Sequence, residues 1–193
     1  MKSIKRECSI NFEEKKSKFI GYAKPILNKI DAENFILQIK NLNRDATHNC
    51  SVYRVIDNGQ EYFKWDDDGE PSGTAGKAMG DVITYTEVYN IVVVATRHFG
   101  GIKLGANGLI RNYAKTAKLA IVEGEIVDYI EKKSYILEFP YNKIDDIDNL
   151  LKNENVEFLE KGYNEKISYK VRIVAELYDK LKMMNDLLIV EVE

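Results

Sequence analysis

NIVVVATRHFGGIKLGANGLIRNYAKTAKLAIV, residues 90–122, joins a strand, a glycine loop and a helix in one run, and its reading places the rest of the chain. Ile91 to Ala95 are apolar without alternation, so Asn90 to Thr96 reads as a strand buried on both faces. The loop RHFGGIKLGANG carries Gly100, Gly101, Gly105 and Gly108. A helix follows from about Leu109 to Val122. Its inner stripe is Ile110, Tyr113, Ala114, Ala117 and Ile121, and Arg111, Lys115 and Lys118 line its outer side at i, i+4, i+7.

Towards the N-terminus, Ser9 to Ile26 gives one or two strands ended by Pro25. The period then changes: Asp31 is the expected N-cap of a helix with Phe35, Ile36, Ile39 and Leu42 inward. Thr47 to Ile56 reads as a strand, the turn Asp57-Asn58-Gly59 as a hairpin signal, and Tyr62 to Trp65 as the returning strand. The polar loop DDDGEPSG leads into a helix over Thr74 to Val88, capped by Thr74 or Ser72, with Ala75, Met79, Val82, Ile83 and Val88 inward. Gly76 and Gly80 weaken that helix in isolation.

After Gly124 the reading restarts. A strand around Ser134 to Phe139, a helix from Lys143 to Asn153, strands around Val156 to Leu159 and Ile167 to Ala175, a helix Ala175 to Asn185 and a strand Leu187 to Val192 follow. This is β-α-β-β-α-β, the ferredoxin-like split unit. The expected fold class is therefore α+β with two domains, residues 1–127 and 128–193.

The 193 residues are 45% hydrophobic and 31% charged, with three prolines, which excludes disordered, collagenous and coiled-coil chains. Cys8 and Cys50 form no Cys-x-x-Cys pair, so neither a disulfide framework nor a cysteine zinc site is indicated. The opening residues lack a signal peptide's apolar segment, and no apolar run approaches the roughly 18–20 residues of a membrane span. A cytoplasmic home without a membrane partner is expected. The net charge of −3 conceals an asymmetry: residues 1–127 sum to +2 and residues 128–193 to −5.

Eight of the twelve glycines fall between Gly69 and Gly108, in or beside two loops that precede helices. In the second loop, backbone N–H groups and a helix start can converge on an anion. No Asp or Glu occurs from Val88 to Val122, yet Arg97, Lys103, Arg111, Lys115 and Lys118 do. Taken singly, these glycines make turns and these cations solvate a helix face; their coincidence points to phosphate. The spacing fits neither a Walker A loop nor G-x-G-x-x-G, so a standard nucleotide pocket is not supported and no cofactor is expected. Asp66, Asp67 and Asp68 lack EF-hand spacing and read as a solvated turn, so no metal is expected either. Glu70, Ser72, Gly73 and Thr74 form a supporting loop that can bring a carboxylate and two hydroxyls towards the second loop.

His48 and Cys50, two apart on one strand, share a face, and with His98 they supply the residue types of a nucleophilic pair. The apolar flank from Val52 to Ile56 favours a core thiol. Tyr53, Phe63 and Trp65 are able to stack on bases, though strand aromatics more often fill cores.

DDDGEPSGTAGKAMGDV and VVVATRHFGGIKLGANGLIRNYAKTA resemble the two long motifs of the YigZ/IMPACT family, in the same order. The match runs over Asp67 to Gly76 and over Arg97, Phe99, Gly100, Gly101, Leu104, Gly105, Gly108, Leu109 and Tyr113. Ala78 replaces a usual Pro, His98 a usual aromatic, and Asn107 a usual Gly. The resemblance implies an N-terminal α/β domain similar to the second domain of a small-subunit ribosomal protein superfamily. It also implies a C-terminal domain similar to the last domain of elongation factor G, and links to translation control. No settled catalytic activity accompanies it.

The expectation is a regulatory binding protein that engages RNA or the ribosome. Arg97, Lys103, Arg111 and Lys115 would supply charge, while Gly100, Gly101, Gly105, Asn107 and Gly108 would allow close backbone contact with phosphates. No catalytic residue is assigned. The alternatives are a hydrolase working between the two loops with Glu70 or His48 as acid/base, and a module for a protein partner.

Overall fold

The structure is a computed structural model that describes residues 1–57, 59–152 and 156–192. Its contacts divide the chain into two units, Met1–Tyr129 and Ile130–Glu193. In the first unit the strands are β1 (Lys2–Ile4), β2 (Cys8–Glu14), β3 (Ser17–Pro25), β4 (His48–Asp57), β5 (Gln60–Asp66), β6 (Ile91–His98) and β7 (Ile126–Asp128). The helices are α1 (Lys29–Leu42), α2 (Gly76–Thr86) and α3 (Ala106–Glu123).

The apolar run at Ile91 to Ala95 lies at the centre, as its lack of alternation requires. β6 is the middle strand of a five-stranded antiparallel sheet ordered β2-β3-β6-β4-β5. Val92 and Val94 face α1, packing with Phe35 and Ile39. Ile91, Val93 and Ala95 face α2 and α3, packing with Met79, Ile83, Tyr113 and Ile121. Each fully buried Val or Ile stabilises by about 1.5–3 kcal/mol before entropy is counted, so this strand anchors both layers. The parity has a further consequence. Arg97 falls on the α2/α3 side and His98 on the α1 side.

β3–α1–β4 and β5–α2–β6 each join parallel strands across one intervening strand, in opposite directions along the sheet. Crossovers of one hand would then place both helices on the same face. The helices lie on opposite faces, so one crossover departs from the right-handed rule.

Local chemistry explains where the boundaries differ from expectation. Asn28, not Asp31, caps α1: its Oδ1 accepts from Asp31 N at 2.8 Å, and Asp31 Oδ2 in turn accepts from Leu27 N at 3.1 Å. The first strand region is two strands joined by Lys15 and Lys16, with φ of 47° and 64°, the two left-handed residues of a primed hairpin turn. The turn expected at Asp57-Asn58-Gly59 includes Asn58, outside the described residues. α3 starts at Ala106, a turn earlier than expected, and Ile110 is exposed rather than inward, because Leu109, Asn112 and Thr116 share the buried face. β7 spans the boundary expected at Val127 and pairs with β1, which keeps it with the first unit.

The second unit runs β8 (Lys133–Phe139), α4 (Ile144–Leu151), β9 (Glu157–Tyr163), β10 (Ile167–Ile173), α5 (Ala175–Lys182) and β11 (Leu188–Val192), with a 3₁₀ turn at Tyr141–Lys143. Its antiparallel sheet is ordered β11-β8-β10-β9. Leu137, Phe139, Tyr169 and Val171 meet Ile147, Leu151, Leu177 and Leu181 in one core. The expected end of its first helix, Asn153, lies outside the described residues.

Candidate functional site

The acidic loop works first as a cap. α2 has no side-chain cap from Ser72 or Thr74; Ala75 stands at its N-cap position. Asp67 takes that role from a distance: its carboxylate accepts from Gly73 N at 2.7 Å, Ala75 N at 3.1 Å and Gly76 N at 2.8 Å. A negative group therefore already occupies the positive end of α2. Thr74 is buried with its hydroxyl donating to Pro71 O at 2.6 Å, Ser72 is exposed, and Gly73 has φ of 76°. Asp68 accepts from Lys40 Nζ at 2.7 Å and Asn49 N at 2.6 Å. Burial alone would lift the Asp68 carboxyl, but Lys40 and the Asn49 amide hold it below the usual carboxylate range.

Behind this loop stands a buried polar hub. Glu70 Oε1 accepts from Arg97 Nη1 and from the Tyr113 hydroxyl, both at 2.7 Å, and Glu70 Oε2 lies 3.8 Å from His48 Nε2. Arg97 Nη2 reaches Ser17 Oγ at 3.4 Å, and the guanidinium lies over the rings of Phe19 and Phe99. One carboxylate thus ties the first loop to the strand before the second loop and to α3. His48 Nδ1 sits 2.8 Å from Asp68 O, which orients the ring.

Cys50 Sγ donates to Asp67 O at 3.0 Å. Burial pushes its thiol, and likewise the Tyr113 phenol, far above their usual ranges, so neither is ionised near neutral pH. His98 lies on the other sheet face, 3.8 Å from exposed Asp45. The sheet therefore separates His98 from Cys50, whereas His48 shares the face of Cys50, whose thiol is held protonated. Tyr53 is buried under α1, Phe63 is partly buried, and Trp65 is half-exposed at edge strand β5.

The second loop has a different character. Gly100 packs against the β2–β3 turn so closely that a Cβ would fall 1.9 Å from Lys16 O, while its N–H donates to Ser17 Oγ at 3.2 Å. Gly101 and Gly105, with φ of 86° and 74°, have nothing within 4 Å of a would-be Cβ and leave bare backbone at the surface. Gly105 caps α3 without a side chain, and the first turn of α3 has no acidic residue. Asn107 is exposed, whereas Gly108 is buried against Leu104.

Lys103, Arg111, Lys115 and Lys118 are exposed, and Lys115 Nζ lies 4.2 Å from the Phe12 ring centroid. The contact at Gly100 adds exposed Lys16, and with it Lys15 and Lys18, to the same end of the sheet. Among the described residues none of these seven cations has an ion-pair partner. Arg97, expected among them, is 5% exposed and committed to Glu70. Its position on the buried parity of β6 was the signal: a charge there requires an internal partner. The hairpin lysines were missed because their contribution depends on one close contact at Gly100.

The profile of the Impact N-terminal domain matches residues 15–121, more than half of the chain and both glycine loops. The chain belongs to the IMPACT family. It is similar to IMPACT family member YvyE of Bacillus subtilis, with 35% identity over 82% of this chain and 72% of that one. IMPACT family member YigZ of Escherichia coli shares 29% identity over 88% of this chain and 85% of the relative. A crystal structure described as that of a hypothetical protein covers 100% of this chain and 97% of its own, with TM-score 0.64 and 26% identity. Among the described residues there is no group of three His, Cys, Asp or Glu able to hold a metal, and no helix long and apolar enough to cross a membrane.

Proposed function

We propose that this IMPACT-family chain is a translation-linked regulatory binding protein whose first unit engages RNA, free or in the ribosome, through the second glycine loop and the outer face of α3. The observation that carries the reading is the set of exposed cations without ion-pair partners among the described residues: Lys15 and Lys16 in the turn against Gly100, Lys103 between the open glycines Gly101 and Gly105, and Arg111, Lys115 and Lys118 along α3. Phosphate contacts release counterions, so affinity falls steeply with salt, and the recognition is of backbone rather than sequence. Arg97 serves differently from the other cations: locked to Glu70, it holds the loop's base in place.

The translation link comes from the family resemblance. On this reading the first unit resembles a ribosomal-protein domain, and the second is a ferredoxin-like domain that modulates access.

A mobility-shift salt series with a structured RNA tests this. The log–log slope should be about −3 to −5, with Lys103→Glu and Arg111→Glu each reducing its magnitude by roughly 0.7–0.9. Affinity indifferent to salt and to both changes refutes the reading.

One arrangement favours a second reading, a hydrolase: His48 is oriented by Asp68 O, partly exposed, and 3.8 Å from Glu70. It requires turnover of a phosphoester or peptide that His48→Asn abolishes without unfolding the protein.

A further inference from the structure

Phe99 is 45% exposed, although a phenylalanine gains about 1.5–3 kcal/mol from full burial. Its surroundings hold it in that state. The backbone N–H of Phe99 donates to Thr47 Oγ1 at 3.0 Å, and the next residue, Gly100, is pinned against Lys16 and Ser17. Behind the ring, the Arg97 guanidinium lies 5.4 Å from the centroid and is itself fixed by Glu70 at 2.7 Å and Ser17 at 3.4 Å. A buried arginine–carboxylate pair is a costly foundation for a solvated loop, whereas it is a rigid backing for a presented aromatic face.

The chemistry around the ring is asymmetric. Gly101 follows with open space beside it, Ile102 is exposed, and Lys103 and Lys16 are unpaired cations. From Val88 to Val122 the sequence contains no carboxylate that could neutralise them. An exposed π-face beside cations and an open glycine backbone matches a nucleotide presented whole: its base on the ring, its phosphate on the loop. A duplex offers phosphates but hides its base faces.

We propose that Phe99 is a base-stacking platform and that the ligand class of this surface is unpaired RNA, a single strand, loop or bulge, rather than duplex. The proposal rests on the RNA-binding reading above and narrows it. Arg97 and Glu70 are positioning residues, acting through Phe99 without touching the base. An acidic amphipathic peptide is the competing occupant, because it too would meet Phe99, Ile102 and the lysines.

Fluorescence anisotropy with a labelled single-stranded oligoribonucleotide separates these cases. Competitors are an RNA duplex of equal length, heparin as a polyanion without bases, and an acidic amphipathic peptide. At fixed salt the single strand should bind about tenfold more tightly than the duplex, and Phe99→Ala should weaken it about tenfold. Heparin affinity and the salt slope should be unchanged in Phe99→Ala, and Phe99→Trp should restore single-strand binding. Equal losses for heparin and RNA, equal affinity for duplex and single strand, or Phe99-dependent binding of the peptide alone would each overturn the proposal. RNA binding that depends on salt and Lys103 but not on Phe99 would sink the stacking platform and leave the broader reading intact; no binding to any polyanion would remove both.

Discussion

Replacing Glu70 by Ala removes the counter-charge of a guanidinium whose side chain is 6% exposed, and it takes the acceptor from the Tyr113 hydroxyl as well. Little solvent is available to screen the charge left behind. Breaking one side of such a buried pair costs about 3–5 kcal/mol, several times what an exposed pair is worth. Glu70→Gln keeps an acceptor in place but loses the charge, and should cost about 2–3 kcal/mol. Combining Glu70→Gln with Arg97→Met removes both charges, so the double variant should be at least about 1 kcal/mol less destabilised than the sum of the singles.

Urea unfolding read by Trp65 fluorescence suits the measurement, because Trp65 is the chain's one tryptophan and reports on the first unit. At about 3–5 °C per kcal/mol for a unit of this size, Glu70→Ala should lower Tm by roughly 10–20 °C. A loss below about 1 kcal/mol would refute the reasoning, since it would mean that the pair is screened like one at the surface.

Other outcomes follow from the same geometry. Gly100→Ala places a methyl group 1.9 Å from Lys16 O and should cost about 2–3 kcal/mol in urea unfolding, since a backbone contact must open to admit it. Asp67→Ala uncaps α2 and should lower stability by about 1–2 kcal/mol, visible as a lower Tm and faster amide exchange at Gly73, Ala75 and Gly76. Because the folded carboxyl of Asp68 titrates below its unfolded value, its stabilisation is complete above the unfolded value near ~3.9 and disappears as pH falls through the folded one. Asp68→Asn should therefore flatten the stability-versus-pH curve in that acidic window and leave its alkaline side unchanged.

Much of the fold was legible because hydrophobic period is local. The unbroken run Ile91–Ala95 announced a strand covered on both faces, and the β-α-β-β-α-β order of the second unit followed from its local segments. Boundaries were less legible, since caps are single atoms: the Asn28 and Asp31 side chains bond to neighbouring amides, and either could have been the N-cap. The Lys15-Lys16 turn carries no glycine or asparagine, so composition did not mark the hairpin. The three-residue strands β1 and β7 are too short for any period to show.

At the candidate site, the glycine loops and the cations of α3 stood out in composition. What stayed hidden was long-range. Glu70 and Arg97 are 27 residues apart and Glu70 and Tyr113 are 43 apart, so their pairing exists only once the sheet has formed. The strand parity of Arg97 was the one local clue that its charge turns inward, away from any ligand.

Amide shift mapping of the labelled protein during titration with single-stranded RNA is the most direct test of where the ligand sits. The account predicts that the largest perturbations fall on Lys16, Phe99, Gly101, Lys103, Gly105 and Arg111. Perturbations centred on α1 or on the β11-β8-β10-β9 sheet, with the second glycine loop silent, would contradict it.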